Sequence, residues 1–159
     1  MITEIIGLVF SMIVGTLGHF LYEWSYYNKF IGFCFSKGES VWEHMKLGIT
    51  PIILWMIFEF FTFNFTNLFF AKFLSIIIFS ICLMILYYGY KLIIKKNILF
   101  LDILIFYISL WLSSIVSIDI MVKNLGFFLN LIGFVGIVFV IYLYFKFDKN
   151  TPNWFIFKD

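Results

Sequence analysis

Polar and apolar positions along this chain fall into long blocks, not into a short repeat. Residues 5–24, 47–63, 69–90, 98–118 and 124–145 form five mostly apolar runs. About 20 such residues are needed to cross the hydrocarbon layer of a bilayer as a helix. Stretches such as Phe73 to Tyr90 are apolar on every side. A closed barrel is the other structure that pairs every backbone polar group in lipid. It would alternate apolar and polar residues over about ten positions, and these runs do not. The pattern predicts an all-α integral membrane protein, a bundle of five transmembrane helices forming a single membrane domain over residues 1–159. A loop at 25–46 and an interfacial tail at 146–159 complete it. The turn between the second and third runs is read at Thr62 to Asn67, and Asn97 is placed to cap the fourth.

Composition agrees with the blocks. The chain is 64% hydrophobic and 13% charged, against about 45–50% apolar and about 25% charged in soluble domains. Its mean hydropathy is +1.06. The start, Met1-Ile2-Thr3-Glu4, has an acid where a signal peptide has its basic region, so the first run is expected to stay in the mature protein. Eleven lysines and no arginine carry the positive charge. With five spans, Lys29, Lys37, Lys46, Lys91, Lys95, Lys96, Lys146, Lys149 and Lys158 fall on one side, and Lys72 and Lys123 on the other. Positive charge is retained in the cytoplasm. The expectation is therefore an N-terminus outside, a C-terminus inside and a bacterial cytoplasmic membrane location. Membrane lipids are the expected surroundings, and a homo-oligomer or membrane partner is left open. The lysines build no stripe of the kind that binds nucleic acid. Cys34 and Cys82 are expected to remain unbridged in a reducing compartment.

Chemistry-bearing residues concentrate between positions 18 and 51. Both histidines, His19 and His44, lie there with Glu23, Glu39 and Glu43. Gly7, Ser11, Gly15, His19 and Glu23 recur every four residues, a spacing that brings helix backbones close and carries an imidazole and a carboxylate to one end of the first span. Ser40-Val41-Trp42-Glu43 reads as a capping box, with the Ser40 hydroxyl and the Glu43 carboxylate each accepting from the other's amide. That is a structural role for Ser40 and Glu43. Glu39 precedes the cap, where the helix dipole favours a carboxylate. Gly48 and Pro51 interrupt the helix that follows, either as a kink or as a break and new start. On an unbroken helix His44, Gly48, Trp55 and Glu59 fall within about 60° of one another. Glu59 is an ionisable group inside a span, which marks a functional candidate unless it only faces headgroups. Asp102, Ser109, Ser113 and Ser117 share a face of the fourth span, where serines usually bond across helices or back to their own carbonyls. Gly126, Asn130 and Gly133 make a packing face in the fifth, and Asn130, placed near mid-bilayer, needs an interhelical hydrogen bond.

His19-Phe-Leu-Tyr-Glu23, followed by Glu39-Ser40-Val41-Trp42-Glu43-His44-Met45-Lys46-Leu47 and then Pro51, resembles a small bacterial membrane-protein family known only as a domain of unknown function. The resemblance covers about the first 55 residues and implies no activity. A fainter similarity to multi-span hydrolases that hold zinc at a membrane face stops at two histidines, where those proteins have a third.

Two functions follow as expectations. In the first, His19 and His44 with Glu23, Glu39 or Glu43 bind a divalent metal such as zinc, or form an acid–base pair. They would hydrolyse a lipid or lipid-like substrate, with His19, His44 and Glu23 both catalytic and metal-ligating. In the second, His19, Glu23, Glu59 and Asp102 line a path for a small molecule or ion. Glu39, Glu59, Asp102 and Trp42 are the expected cavity residues under these readings. A purely structural or partner-docking role, with Trp24 and Trp42 as interface anchors, is the third alternative. The separation of the two imidazoles discriminates: beyond about 10 Å they cannot share a site.

Overall fold

The computed structural model describes residues 2–96, 98–123 and 125–158. Asn97, the expected cap of the fourth span, lies outside them. The described residues form α1 (Ile2–Trp24), α2 (Lys29–Cys34), α3 (Val41–Thr62), α4 (Leu68–Ile94), α5 (Leu99–Met121) and α6 (Phe127–Lys149), with a 3-10 turn at Phe155–Phe157 and no strand among them. Every helix except α2 is long and apolar enough to cross a membrane. α1 packs against α3 and α5, while α4 packs against α3, α5 and α6. Five antiparallel helices therefore give the bundle two ends. The start of α1 and residues 63–67, 122–123 and 125–126 lie at the amino end. Residues 25–40, 95–96, 98 and 150–158 lie at the lysine-rich end.

Segment 25–46 starts a helix at the expected Ser40 cap and carries a further short helix, α2, ahead of it. Asn28 caps α2, its Oδ1 accepting from the Phe30 amide at 2.9 Å and the Ile31 amide at 3.4 Å. α3 already begins at Val41, six residues before the predicted span, and runs through Pro51 without a break. Proline lacks an amide hydrogen, so the carbonyl of Leu47, four residues earlier, loses its helical partner. α1 closes on that point with a residue that has no side chain. A Cβ on Gly15 would stand 2.7 Å from the Leu47 oxygen and 2.6 Å from the Phe106 ring. Only glycine permits this approach, which allows a Cα–H to face the freed carbonyl.

The buried stripe of α1 is Glu4, Gly7, Ser11, Gly15 and Gly18. The four-residue row expected to continue through His19 to Glu23 instead turns to Gly18, because 3.6 residues per turn carries a strict four-residue spacing off the face. His19 is half-buried at the edge, and Glu23 is exposed. Ile2, Ile5, Ile6, Val9, Ile13 and Leu17 point outward, as a lipid-facing surface requires.

Two asparagines tie helix ends together. Asn130 Oδ1 accepts from the Phe69 amide at 2.9 Å and the Phe70 amide at 3.2 Å, satisfying donors that a helix start leaves unpaired. Asn130 is the fourth residue of α6, so it sits at the amino end and not at mid-bilayer. Fully buried Asn67 donates to the carbonyls of Ile120, at 3.3 Å, and Lys123 at the end of α5. The tail packs onto the lysine-rich end of the bundle through aromatic contacts. Phe157 lies tilted at 5.4 Å from Trp42 and edge-on at 5.0 Å from Phe147, and Phe155 meets Tyr88 at 5.2 Å.

Candidate functional site

The α2–α3 connection brings the two histidines together at the lysine-rich end. Their ring centroids are 5.7 Å apart. Glu39 lies between them, with Oε1 3.5 Å from His19 Nε2 and Oε2 3.7 Å from His44 Nε2. Local folding explains the placement. Ser40 takes the N-cap position of α3, its hydroxyl accepting from the Glu43 amide at 3.4 Å. This fixes Glu39 just outside the helix and His44 one turn inside. His44 Nδ1 lies 3.0 Å from the Ser40 carbonyl, which can only accept. Nδ1 therefore carries the hydrogen, and Nε2 is turned toward Glu39 and the opening.

Glu39 is 69% exposed. An ion pair so open to solvent contributes little to stability, so the arrangement is not a structural clamp. Beside it lie two adjoining pockets that share Glu39, His44, Leu99 and Asp102, with volumes of ≈ 280 and ≈ 190 Å³. The second is bounded by Gly15, Leu47, Phe106 and Ile103, so the polar groups stand at the end of an apolar groove. Its outer rim, Phe20, Leu99 and Ile103, is exposed between α1 and α5. Asp102 accepts a hydrogen bond from the Tyr90 hydroxyl, which holds one carboxylate oxygen at the groove wall.

The other expected residues separate. Glu23 lines a pocket with His19 and Glu39 but pairs with neither histidine. Trp42, two residues before His44 and so on the opposite side of α3, stands in an aromatic cluster with Tyr144, Phe147 and Phe157. The Glu43 carboxylate does not return to the Ser40 amide as a capping box would have it. It accepts from the Lys37 amide at 2.6 Å and pairs with Lys46 Nζ at 2.7 Å. Lys46 also donates to the Gly32 carbonyl at 3.0 Å. Lys37 pairs with Asp148 of α6. These contacts clamp the α2–α3 segment against the bundle and hold Glu39 in register.

Glu59 lies about 22 Å from His44 by helical rise, at the amino end. There it is fully buried, 2.7 Å from Lys72 Nζ, which is 2.5 Å from Glu4 Oε1. Two of these partners, Glu4 and Lys72, were missed in the sequence. The available signal was a lysine beside Ala71 inside an apolar run. The serine face of α5 is buried, and Ser109 and Ser113 bond back to the carbonyls of Ile105 and Leu110, each at 2.8 Å.

The two imidazoles and Glu39 are the groups of metal-ligating type drawn together at this point among the described residues. Among the described residues no group of three His, Cys, Asp or Glu side chains is placed to hold a metal ion.

Residues 2–159 match a family described as a family of unknown function (DUF6512). Comparison with curated proteins and with solved structures finds no match.

Proposed function

The chain belongs to DUF6512, and we propose that it binds the polar end of a lipid-like molecule in the groove between α1 and α5 and performs acid–base hydrolysis there. One observation carries the reading: Glu39 bridges His19 and His44 at the polar end of an otherwise apolar groove. A chain-like apolar portion has Leu47, Ile103 and Phe106 to lie against, and its polar end meets two imidazoles and Asp102. With Nδ1–H given to Ser40, His44 Nε2 is the atom that takes a proton from water. Glu39 then holds the imidazolium. His19, on the other side of Glu39, gives a proton to the leaving oxygen from its imidazolium form, and the proton taken up by His44 passes back to it by way of Glu39 to close the cycle. Positioned acid–base groups of this kind contribute about 10²–10⁴-fold to a rate.

The full chain in lipid vesicles, offered single-chain carboxylic and phosphate esters, tests the reading. Turnover that falls by about 100-fold or more in H44A and H19A, and is unchanged in E23Q, supports it. Equal turnover in wild type and H44A overturns it.

Among the described residues, those expected to line a path fall into two groups. Glu59 stands at one end, and His19 and Asp102 at the other. Between them Phe79 and Phe106 meet edge-to-face at 5.8 Å, with Phe79 wholly buried against Gly48.

A further inference from the structure

The amino end of the bundle holds a charged cluster that the groove does not use. Three helices each supply one ionisable group to it: Glu4 from α1, Glu59 from α3 and Lys72 from α4. All three are nearly or fully shielded, and Glu59 is 0% exposed. α5 faces the cluster with Ser113 and Ser114, which are uncharged. Among the described residues, one ammonium therefore stands against two carboxylates, a net charge of −1 where isolated charge is strongly disfavoured.

Hydrogen bonding leaves the same deficit. The Lys72 ammonium donates to Glu4, while its 2.7 Å approach to Glu59 Oε2 is an ion pair without hydrogen-bond alignment. Glu59 Oε1 is buried with no donor. A small cavity of ≈ 20 Å³ adjoins Glu4 and Lys72, lined also by Ser11, Ser75 and Trp55. It is large enough for one water, and the Trp55 indole nitrogen beside it is buried with no partner. Both the missing positive charge and the missing donor are supplied by the same species.

We propose that this cluster is a proton-binding site, with one proton carried by the Glu4–Glu59 carboxylate pair and exchanged through the water-sized cavity. On uptake, a hydronium in the cavity gives its proton to a carboxylate oxygen. An O–H bond forms, one carboxylate becomes a neutral acid, and water is released. Lys72 then balances the remaining carboxylate and the cluster is neutral. Loss of the proton restores the charge of −1. The Phe79–Phe106 contact lies between this cluster and the histidines.

Infrared spectroscopy of the full chain in lipid vesicles tests this. Wild type is expected to show the carbonyl stretch of a protonated carboxyl at neutral pH. The band should shift with ¹³C-glutamate labelling and with exchange into D₂O, and should disappear in E59Q or in E4Q. A wild-type spectrum without such a band overturns the proposal. So does a band insensitive to glutamate labelling, or one that survives both substitutions. The labelling arm stands even if the variants do not fold.

Discussion

At the residue scale, the side chains of the 25–46 segment have been given distinct tasks by their immediate contacts. Ser40 caps, Glu43 and Lys46 clamp, and Glu39 is left between two imidazoles. The sequence made His19, His44 and Glu39 visible, since they are rare polar residues near one end of the spans. It did not rank Glu39 above Glu23, because the ranking depends on how the 25–40 segment folds back. No periodicity reports that fold. Cys34, in α2, records the same packing. Burial pushes its thiol up, and the Lys46 ammonium opposes that shift in part. A raised thiol has less thiolate at neutral pH. In a Cys82→Ser background, maleimide labelling of Cys34 is therefore expected to be slower than that of an exposed cysteine and to rise with pH beyond the ordinary thiol range. Labelling as fast as an exposed cysteine would contradict the packing of α2.

At the element scale, the five blocks of apolar residues correspond to the five helices long and apolar enough to cross a membrane, because lipid thickness dictates their length. What they could not mark was how helices end and meet. The early start of α3 depends on a cap inside a polar segment, and its passage through Pro51 depends on Gly15 of another helix. The α4–α6 contact makes this measurable. A Cβ on Gly133 would lie 2.3 Å from the Phe70 backbone nitrogen, which cannot move aside as a side chain can. Gly133→Val is expected to cost at least about 1–3 kcal/mol from overpacking. Asn130→Ala, which strips two amides of their acceptor, should cost about 0.5–2 kcal/mol, as loss of a helix cap does. Gly89, also helical, has open space around it, so Gly89→Ala should stabilise by about 0.5–1 kcal/mol. Denaturant unfolding in detergent measures all three. A Gly133→Val variant as stable as wild type would dissolve the α4–α6 contact described above.

At the scale of the whole molecule, the bundle is polar at both ends and aromatic in the middle. The Glu4–Lys72–Glu59 cluster was not legible as a unit because its members lie 55 and 13 residues apart from one another. Only the folded bundle joins them. The same burial sharpens the charge asymmetry. Lys72, one of two lysines at the amino end, is an interior residue, so Lys123 is the amino-end lysine left near the surface, paired with Asp119. By the retention of positive charge, the lysine-rich end is expected to face the cytoplasm. In intact cells, an impermeant thiol reagent should label a cysteine substituted for Asn64 and leave one substituted for Lys96 untouched. The reverse pattern would invert the orientation.

The central claim is that His19, Glu39 and His44 act as one site facing the groove. It is tested most directly by ¹⁵N NMR of histidine-labelled protein in lipid nanodiscs, titrated with dodecyl phosphate. Both imidazole signals should move together on binding, and E39Q should uncouple them, while E23Q behaves as wild type. Two histidine signals that stay fixed through saturation, or that respond identically in wild type and E39Q, would contradict the account.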